Sequence, residues 1–316
     1  MVGPRAQSRG TIREDMKKMS KKILLCELNV SEGRDEAKIK RITKSLTATP
    51  NITIMDIDSD ADHNRSVYTW IGEPEDVLAG AMNITAQAVE EIDMAMHHGS
   101  HPRQGAVDVV PFVPVRNVEK EEALDIARRY GKFLGGLGVP VYYYEDAATK
   151  PSRQNLVDIR KGQYEALPEK MQNEEWRPDE GPFAFVPKSG VTVTGVRFPL
   201  VAYNVNLRTD DLEIAKAIAK RMRFSSGGLR FCRAIGLALE ERGMVQVSMN
   251  LTNFEKTPIP VVYDLIKSLA DSYGVGIADA ELVGPLPLAA LEEVIRHCLR
   301  VRRFEMEQII ETHLLG

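Results

Sequence analysis

One order of residue periods occurs twice in this chain, and it limits the possible folds more than any other feature. From Ile23 the sequence reads strand, helix, strand, strand, helix, strand, and from Leu200 it reads the same way again. In the first pass, Ile23 to Val30 (ILLCELNV) is a run of strand formers closed by the turn Ser31-Glu32-Gly33. From Asp35 the period changes, with Ile39, Ile42 and Leu46 at helical spacing up to about Thr49-Pro50. Asn51 to Asp58 and Val67 to Ile71 read as strands. Glu73-Pro74-Glu75-Asp76 opens a second helix, with proline early and acids in the first turn. That helix turns Leu78, Ala81, Met82, Val89 and Ile92 inward and runs to about Met96. The apolar run ending at Val115 completes the set, and its Pro111 and Pro114 lack ladder donors, so it reads as an edge strand or an irregular extended segment.

The second pass is Leu200 to Leu207, a helix capped by Asp210 or Asp211, strands Cys232 to Glu240 and Val245 to Leu251 around Gly243, a helix Ile259 to Tyr273, and an extended run Glu281 to Pro285. A last helix spans Leu288 to Arg302. Each pass is the split β-α-β arrangement of a ferredoxin-like unit, which predicts an α/β (α+β) protein of two β-α-β-β-α-β lobes. Between them lie an extra helix, Glu119 to Leu134, and a strand, Val139 to Tyr144. Glu145 to Pro187 is poor in period, with helical hints at Leu156 to Lys161 and Pro168 to Glu174, and reads as a long surface connection. Connections of that length are uncommon unless they have a task. The lobes are expected to join near Pro187 to Pro199, giving a first lobe over residues 22–199 and a second over 200–316. Residues 1–21, with Met19 as a possible alternative start, read as a disordered extension outside the fold.

Composition removes several function classes. A chain of 316 residues with 43% hydrophobic content has ample material for two cores. Its net charge of −4, with no basic stripe longer than Arg296 to Arg303, argues against nucleic acid. Nothing approaches the ~18 consecutive apolar residues of a membrane helix. Three scattered cysteines, Cys26, Cys232 and Cys298, suit a reducing compartment, so a cytoplasmic protein is expected.

Chemistry concentrates in His97 to Val115, HHGSHPRQGAVDVVPFVPV, whose first five residues hold half of the chain's six histidines. Pro102 biases His101 toward extended geometry, and Gly99 and Gly105 permit backbone angles that other residues resist. A histidine on such a loop suits acid–base work. The competing reading is that one of these histidines caps carbonyls and the others are solvated. Zinc is disfavoured, since His97, His98 and His101 lack partner cysteines or paired spacing. Asp58, Asp60 and Asp62 alternate as in a calcium loop but lack its sixth-position glycine and twelfth-position glutamate, so they read as solvated turn residues. Ser225-Ser226-Gly227-Gly228 reads as a plain loop. No Walker loop, dinucleotide fingerprint or Gly-X-Ser-X-Gly elbow is present.

Ordered matches carry a resemblance to a known family. They are Asn29-Val30-Ser31-Glu32-Gly33-Arg34, Asn64-Arg65 with Val67-Tyr68-Thr69, Pro74-Glu75-Asp76, HHGSHPRQGAVDV, YEALPEK at Tyr164 to Lys170, GPFAFVPKSG at Gly181 to Gly190, Asn204-Val205-Asn206-Leu207 and Gln246-Val247-Ser248-Met249-Asn250. Together these resemble the formiminotransferase family, over essentially everything from Ile23 onward. The resemblance implies two α/β lobes with a folate tunnel between them. It implies transfer of a formimino group between N-formimino-L-glutamate and tetrahydrofolate, the latter as cosubstrate and with no metal. His101 is then the catalytic histidine, and the folate-binding stretch is Gly181, Pro182, Phe183, Ala184, Phe185, Val186, Pro187, Lys188, Ser189 and Gly190. Larger members carry a cyclodeaminase domain that this sequence does not show, so a separate cyclodeaminase is a conceivable partner. Family members often have an acid and a methionine where this chain has Ser100 and Gln104, and an aromatic where it has Ser189.

The substrates' carboxylates call for cationic partners, and Arg65, Arg103 and Lys188 are the expected ones, against the alternative of surface salt bridges. Asn29, Asn204 and Asn206 are expected at pterin or amide groups, or else closing turns. Phe183 and Phe185 either grip a ring of the folate or belong to the core. Formyl transfer, and a folate-binding module without catalysis, remain open beside formimino transfer. A homodimer through an exposed strand beside Pro111 to Pro114 is a further expectation.

Overall fold

The computed structural model describes residues 21–314, in two units that divide between Arg197 and Phe198. Apart from Lys21, the extension expected over residues 1–21 lies outside the described residues.

The first unit opens with β1 (Ile23–Val30), in which every second side chain is buried. Helix α1 (Glu36–Thr47) starts where Asp35 accepts hydrogen bonds from the backbone N–H groups of Ala37 and Lys38, and it buries Ile42 and Leu46. Strands β2 (Thr53–Asp60) and β3 (Arg65–Gly72) form a hairpin. Helix α2 (Pro74–Glu91) places proline in its first turn and stops at Glu91, short of the expected Met96; a 3-10 turn at Met94–Met96 follows. Then come β4 (Val109–Arg116), α3 (Lys120–Gly136), β5 (Val141–Glu145) and β6 (Thr192–Val196). The sheet order is β2-β3-β1-β4-β6-β5. Its first four strands have the ferredoxin-like order, with α1, α2 and α3 packed on one face over Leu24, Leu28, Trp70 and Phe112.

Two sequence expectations are corrected here. The run at Pro111 and Pro114 is neither an edge nor irregular: β4 lies inside the sheet, antiparallel to β1 and parallel to β6. The pairings are staggered, with β6 against Val109 to Phe112 and β1 against Phe112 to Arg116, so each proline has a paired neighbour on one flank only. A missing N–H then costs little, because the ladder on that flank has already ended. Among the described residues, no exposed strand lies beside these prolines to form a dimer edge.

The stretch Pro187 to Pro199, where the lobes were expected to join, holds the division between Arg197 and Phe198 and, ahead of it, β6, whose five residues are all buried. Thr192 and Thr194 donate their hydroxyls to the carbonyls of Val107 and Val110, which satisfies both polar groups inside the sheet.

The stretch from Glu145 to Pro187 is not loose surface. Two short helices, α4 (Leu156–Arg160) and α5 (Leu167–Lys170), lie close to their expected positions. Ile159, Leu167 and Met171 pack with Val109, Tyr142, Tyr144 and Val193 in a second core. Arg153 is 1% exposed. It pairs with Asp179 at 2.9 Å, donates to the carbonyls of Glu175 and Arg177, and stacks 4.8 Å from the Tyr142 ring.

The second unit is β7 (Val201–Leu207), α6 (Leu212–Met222), β8 (Cys232–Leu239), β9 (Met244–Leu251), α7 (Ile259–Ser272), β10 (Ile277–Val283) and α8 (Leu288–Leu299). Asp211, not Asp210, caps α6. The strand order β10-β7-β9-β8 is again ferredoxin-like. Strand β10 starts at Ile277, before the expected Glu281, and α8 ends at Leu299, before Arg302. Ser225 to Gly228 is a 3-10 turn leading to a left-handed Gly227, a plain loop as expected. Among the described residues, no helix is long and apolar enough to cross a membrane.

Candidate active site

The loop between α2 and β4, residues 92–108, forms the site together with the β2–β3 hairpin. Ser31, His63, Asn64, Arg65, His97, His101, Arg103 and Asp108 line one hollow. Two glycines bring the chains together. A Cβ on Gly99 would lie 2.3 Å from the His63 carbonyl oxygen, so only glycine lets the histidine loop approach the hairpin. Gly105 is pressed against the carbonyls of Ser189 and Val191 in the same way.

The three histidines of the motif have separate fates. His97 is buried; its Nε2 donates to the Asn64 carbonyl at 2.9 Å, and its Nδ1 accepts from Arg103 Nε at 3.3 Å. Both nitrogens are taken and burial lowers its pKa, so His97 is a structural tie. His98 is exposed. His101 is half-buried, and Arg65 holds its Nε2 at 2.7 Å. A guanidinium only donates, so Nε2 is the acceptor and the ring proton belongs on Nδ1. Burial, then the charges of Arg65, Arg160 and His63, push the His101 pKa down to about 3. The ring is therefore a neutral imidazole at physiological pH.

The arginines differ as sharply. Arg103 is buried and committed: both terminal nitrogens meet the Glu165 carboxylate, at 2.6 and 2.9 Å. Arg160 pairs with Asp108. Arg65 makes no ion pair among the described residues, and its buried Nε has no acceptor. Asp58, Asp60 and Asp108 act on it only at longer range, and burial lowers its pKa. A half-buried guanidinium without a carboxylate is poorly compensated, which leaves this one ready for an incoming anion.

His63 was missed by the sequence reading. Asp60, expected as a solvated turn residue, accepts from the His63 backbone N–H at 2.8 Å and from its ring Nδ1 at 2.7 Å. The backbone hydrogen bond, then the ring, lowers the Asp60 pKa. The one signal available was an acid and a histidine three residues apart at a hairpin end.

Of the other expected site residues, Asn29 lies on β1 opposite Val67, two residues before Ser31. The stretch Gly181–Gly190 reaches the histidine loop at its end. The Ala106 N–H donates to the Ser189 carbonyl and the Val191 N–H to the Gln104 carbonyl, while the Met94 N–H donates to the Lys188 carbonyl. Gly190 has φ +63°, and a Cβ there would meet the Gln104 oxygen at 2.1 Å. Phe183 and Phe185 are half-buried; Arg177 lies 5.0 Å over the first ring, and Tyr164 is 5.4 Å from the second. Lys188 is exposed, outside the hollow, with Nζ donating to the Glu90 carbonyl.

Asn204 and Asn206 belong to the second unit. Asn204 accepts from the Met249 N–H, and Asn206 is fully buried among Asp279, Glu281 and Gln246. Ser100 donates to the Asp62 carbonyl, and Gln104 donates to the Ile159 carbonyl while its Oε1 stays unpartnered. Among the described residues, no group of three or more His, Cys, Asp or Glu is placed to hold a metal ion.

Comparison with known proteins identifies the family. Residues 23–197 match the model of the formiminotransferase domain, N-terminal subdomain, and residues 202–313 match that of the formiminotransferase domain. The chain is 45% identical to glutamate formimidoyltransferase of Streptococcus pyogenes serotype M1, over 93% of this chain and 99% of that one. It is 42% identical to glutamate formimidoyltransferase of Thermoplasma acidophilum, over 92% and 96%. It is 44% identical to formimidoyltransferase-cyclodeaminase of Sus scrofa, over 84% of this chain and 50% of that one. With both units of the domain matched in order, the chain belongs to the formiminotransferase family.

Proposed function

We propose that this protein is a glutamate formimidoyltransferase of cytoplasmic one-carbon and histidine metabolism. It moves the formimino group of N-formimino-L-glutamate to N5 of tetrahydrofolate, releasing glutamate. The observation that carries the reading is the pairing of a neutral His101 with an Arg65 that has no carboxylate of its own.

N5 attacks the amidine carbon, which becomes tetrahedral, and the attacking nitrogen becomes cationic. That nitrogen sheds its proton readily, so a weakly basic imidazole suffices to accept it. Arg65 covers the His101 lone pair in the free protein. A substrate carboxylate that pairs with Arg65 compensates its charge and draws the guanidinium off Nε2, which frees the base when substrate is present. The backbone contact between the histidine loop and Ser189–Gly190 supports a folate ring held along Gly181–Gly190, with Phe183 and Phe185 offering flat faces. Fixing both reactants beside His101 supplies orientation, worth up to about 7–11 kcal/mol in well-aligned cases.

The test mixes purified protein, tetrahydrofolate and formiminoglutamate and follows 5-formiminotetrahydrofolate. Wild type forms product, and His101→Asn lowers turnover by roughly a hundred- to ten-thousand-fold while tetrahydrofolate still binds. Product from N-formylglutamate instead, or folate binding with no turnover of either donor, rejects the reading.

A further inference from the structure

Formimino transfer needs two proton movements, and His101 accounts for one. The proton taken from N5 is only half of the chemistry, because the glutamate nitrogen must be protonated before its bond to carbon breaks. His101 is a poor source of that proton, since burial and the neighbouring guanidinium groups disfavour its charged form.

A second imidazole lines the same hollow. The His63 ring lies 5.8 Å from that of His101, centroid to centroid, at an interplanar angle of 80°. Its Nδ1 is bonded to the Asp60 carboxylate at 2.7 Å, which fixes the ring and leaves Nε2 for another partner. The hairpin tip that carries it is tied on several sides. Arg34 Nε donates to the Ala61 carbonyl at 2.7 Å, Asn64 accepts from the Gly33 N–H and donates to the His98 carbonyl, and Ser100 N–H donates to the Asp62 carbonyl. The position of His63 relative to His101 is thus set by backbone contacts from β1, the hairpin and the histidine loop together. A staple for the hairpin would need the Asp60 bond alone; it would not need a ring facing the hollow.

We propose that His63, backed by Asp60, is a second catalytic residue of the transfer, delivering to the departing glutamate nitrogen the proton it needs while His101 accepts the one shed by N5. This rests on the formimino-transfer reading. The N5–carbon bond forms as the amidine double bond opens; the N5 proton passes to His101 and a proton passes from His63 to the glutamate nitrogen. The carbon–nitrogen bond to glutamate then breaks, its electron pair leaving with the amine, and the formimino C=N bond re-forms on N5. Solvent exchange returns both imidazoles to their starting forms. Nothing is oxidised or reduced. The groups in contact with the His63 ring are Asp60 from β2 and His101 from the loop, and Arg34 from the turn after β1 reaches the neighbouring hairpin tip at the Ala61 carbonyl.

The experiment compares wild type with His63→Gln, Asp60→Asn, the double variant, and His63→Ala with and without added imidazole. The His63 side chain is 44% exposed, so its replacement leaves the core intact. The expected result is a roughly hundredfold fall in kcat for His63→Gln, with KM for both substrates changed by less than about threefold. Asp60→Asn falls comparably, the double variant is no worse than His63→Gln, and imidazole restores turnover to His63→Ala. A kcat for His63→Gln within about threefold of wild type, a loss confined to KM, or a His63→Ala variant that imidazole does not rescue overturns the proposal. A wild-type protein with no formimino transfer overturns it through the underlying reading, an outcome distinguished by the absence of any rate to compare.

Discussion

The connection from the second helix to the last strand of the ferredoxin-like set covers residues 92–108 in the first unit and residues 273–276 in the second. Both connections join the same two elements of the same plan, so the fold requires only the shorter one. What the longer one adds is His97, His98, His101 and Arg103. The two terminal strands diverge in parallel. β4 is buried for most of its length because β6 extends the sheet beyond it, whereas within its unit β10 is largely exposed and carries Asp279 and Glu281, which pair with Arg242. Charges of that kind discourage pairing at a sheet edge. The first unit uses the same position to extend the sheet and to build a strap over its second face.

The contrast is sharpest for charge. Arg153→Met, in the segment between β5 and β6, removes the countercharge of Asp179, which keeps only the Tyr143 N–H and the Thr149 hydroxyl, and is expected to cost about 3 kcal/mol. Lys267→Met in the second unit breaks an exposed pair with Asp271 and should cost under about 1 kcal/mol. Urea unfolding of each variant measures both, and equal losses would dissolve the distinction.

A smaller test compares two left-handed glycines. Gly190→Ala forces a Cβ into the Gln104 carbonyl and should cost about 3 kcal/mol through strain and overpacking. Gly243→Ala, in the β8–β9 hairpin at φ +59°, has nothing within 4 Å of the new atom and should cost only about 1 kcal/mol. Thermal melts of the two variants rank them.

A further effect is on pH. His101 is depressed to about 3 in the folded protein, against about 6.5 unfolded, so the unfolded chain binds more protons between those values. Stability contributed by the neutral ring is complete above pH ~6.5 and is lost as pH falls toward 3. His101→Asn should flatten that part of the stability profile, and a profile of unchanged slope would place the titrating group elsewhere.

Much of this was legible in local pattern. The strand and helix periods located nearly every element of both ferredoxin-like sets, since each rests on side-chain alternation within a few residues. The histidine loop was legible through its glycines and proline. What escaped depends on partners distant in sequence. Strand β6 is five residues long and is held by parallel neighbours at Val109 and Val141, so no local period announces it. The prolines of β4 mislead because staggered pairing, invisible in one strand, decides whether a donor is missed. Arg103 resembles a substrate cation until Glu165 arrives from 62 residues away. His63 matters only because the hairpin and the loop meet across Gly99.

The seam between the histidine loop and the stretch ending at Gly190 also has a mechanical meaning. Two segments more than eighty residues apart in sequence are riveted backbone to backbone, with no side-chain rotamer between them to absorb play. A displacement of one by a fraction of an ångström must therefore appear in the other. Whatever docks along the glycine-bounded stretch is indexed to the imidazole through backbone hydrogen bonds, much as a jig sets the workpiece against the tool.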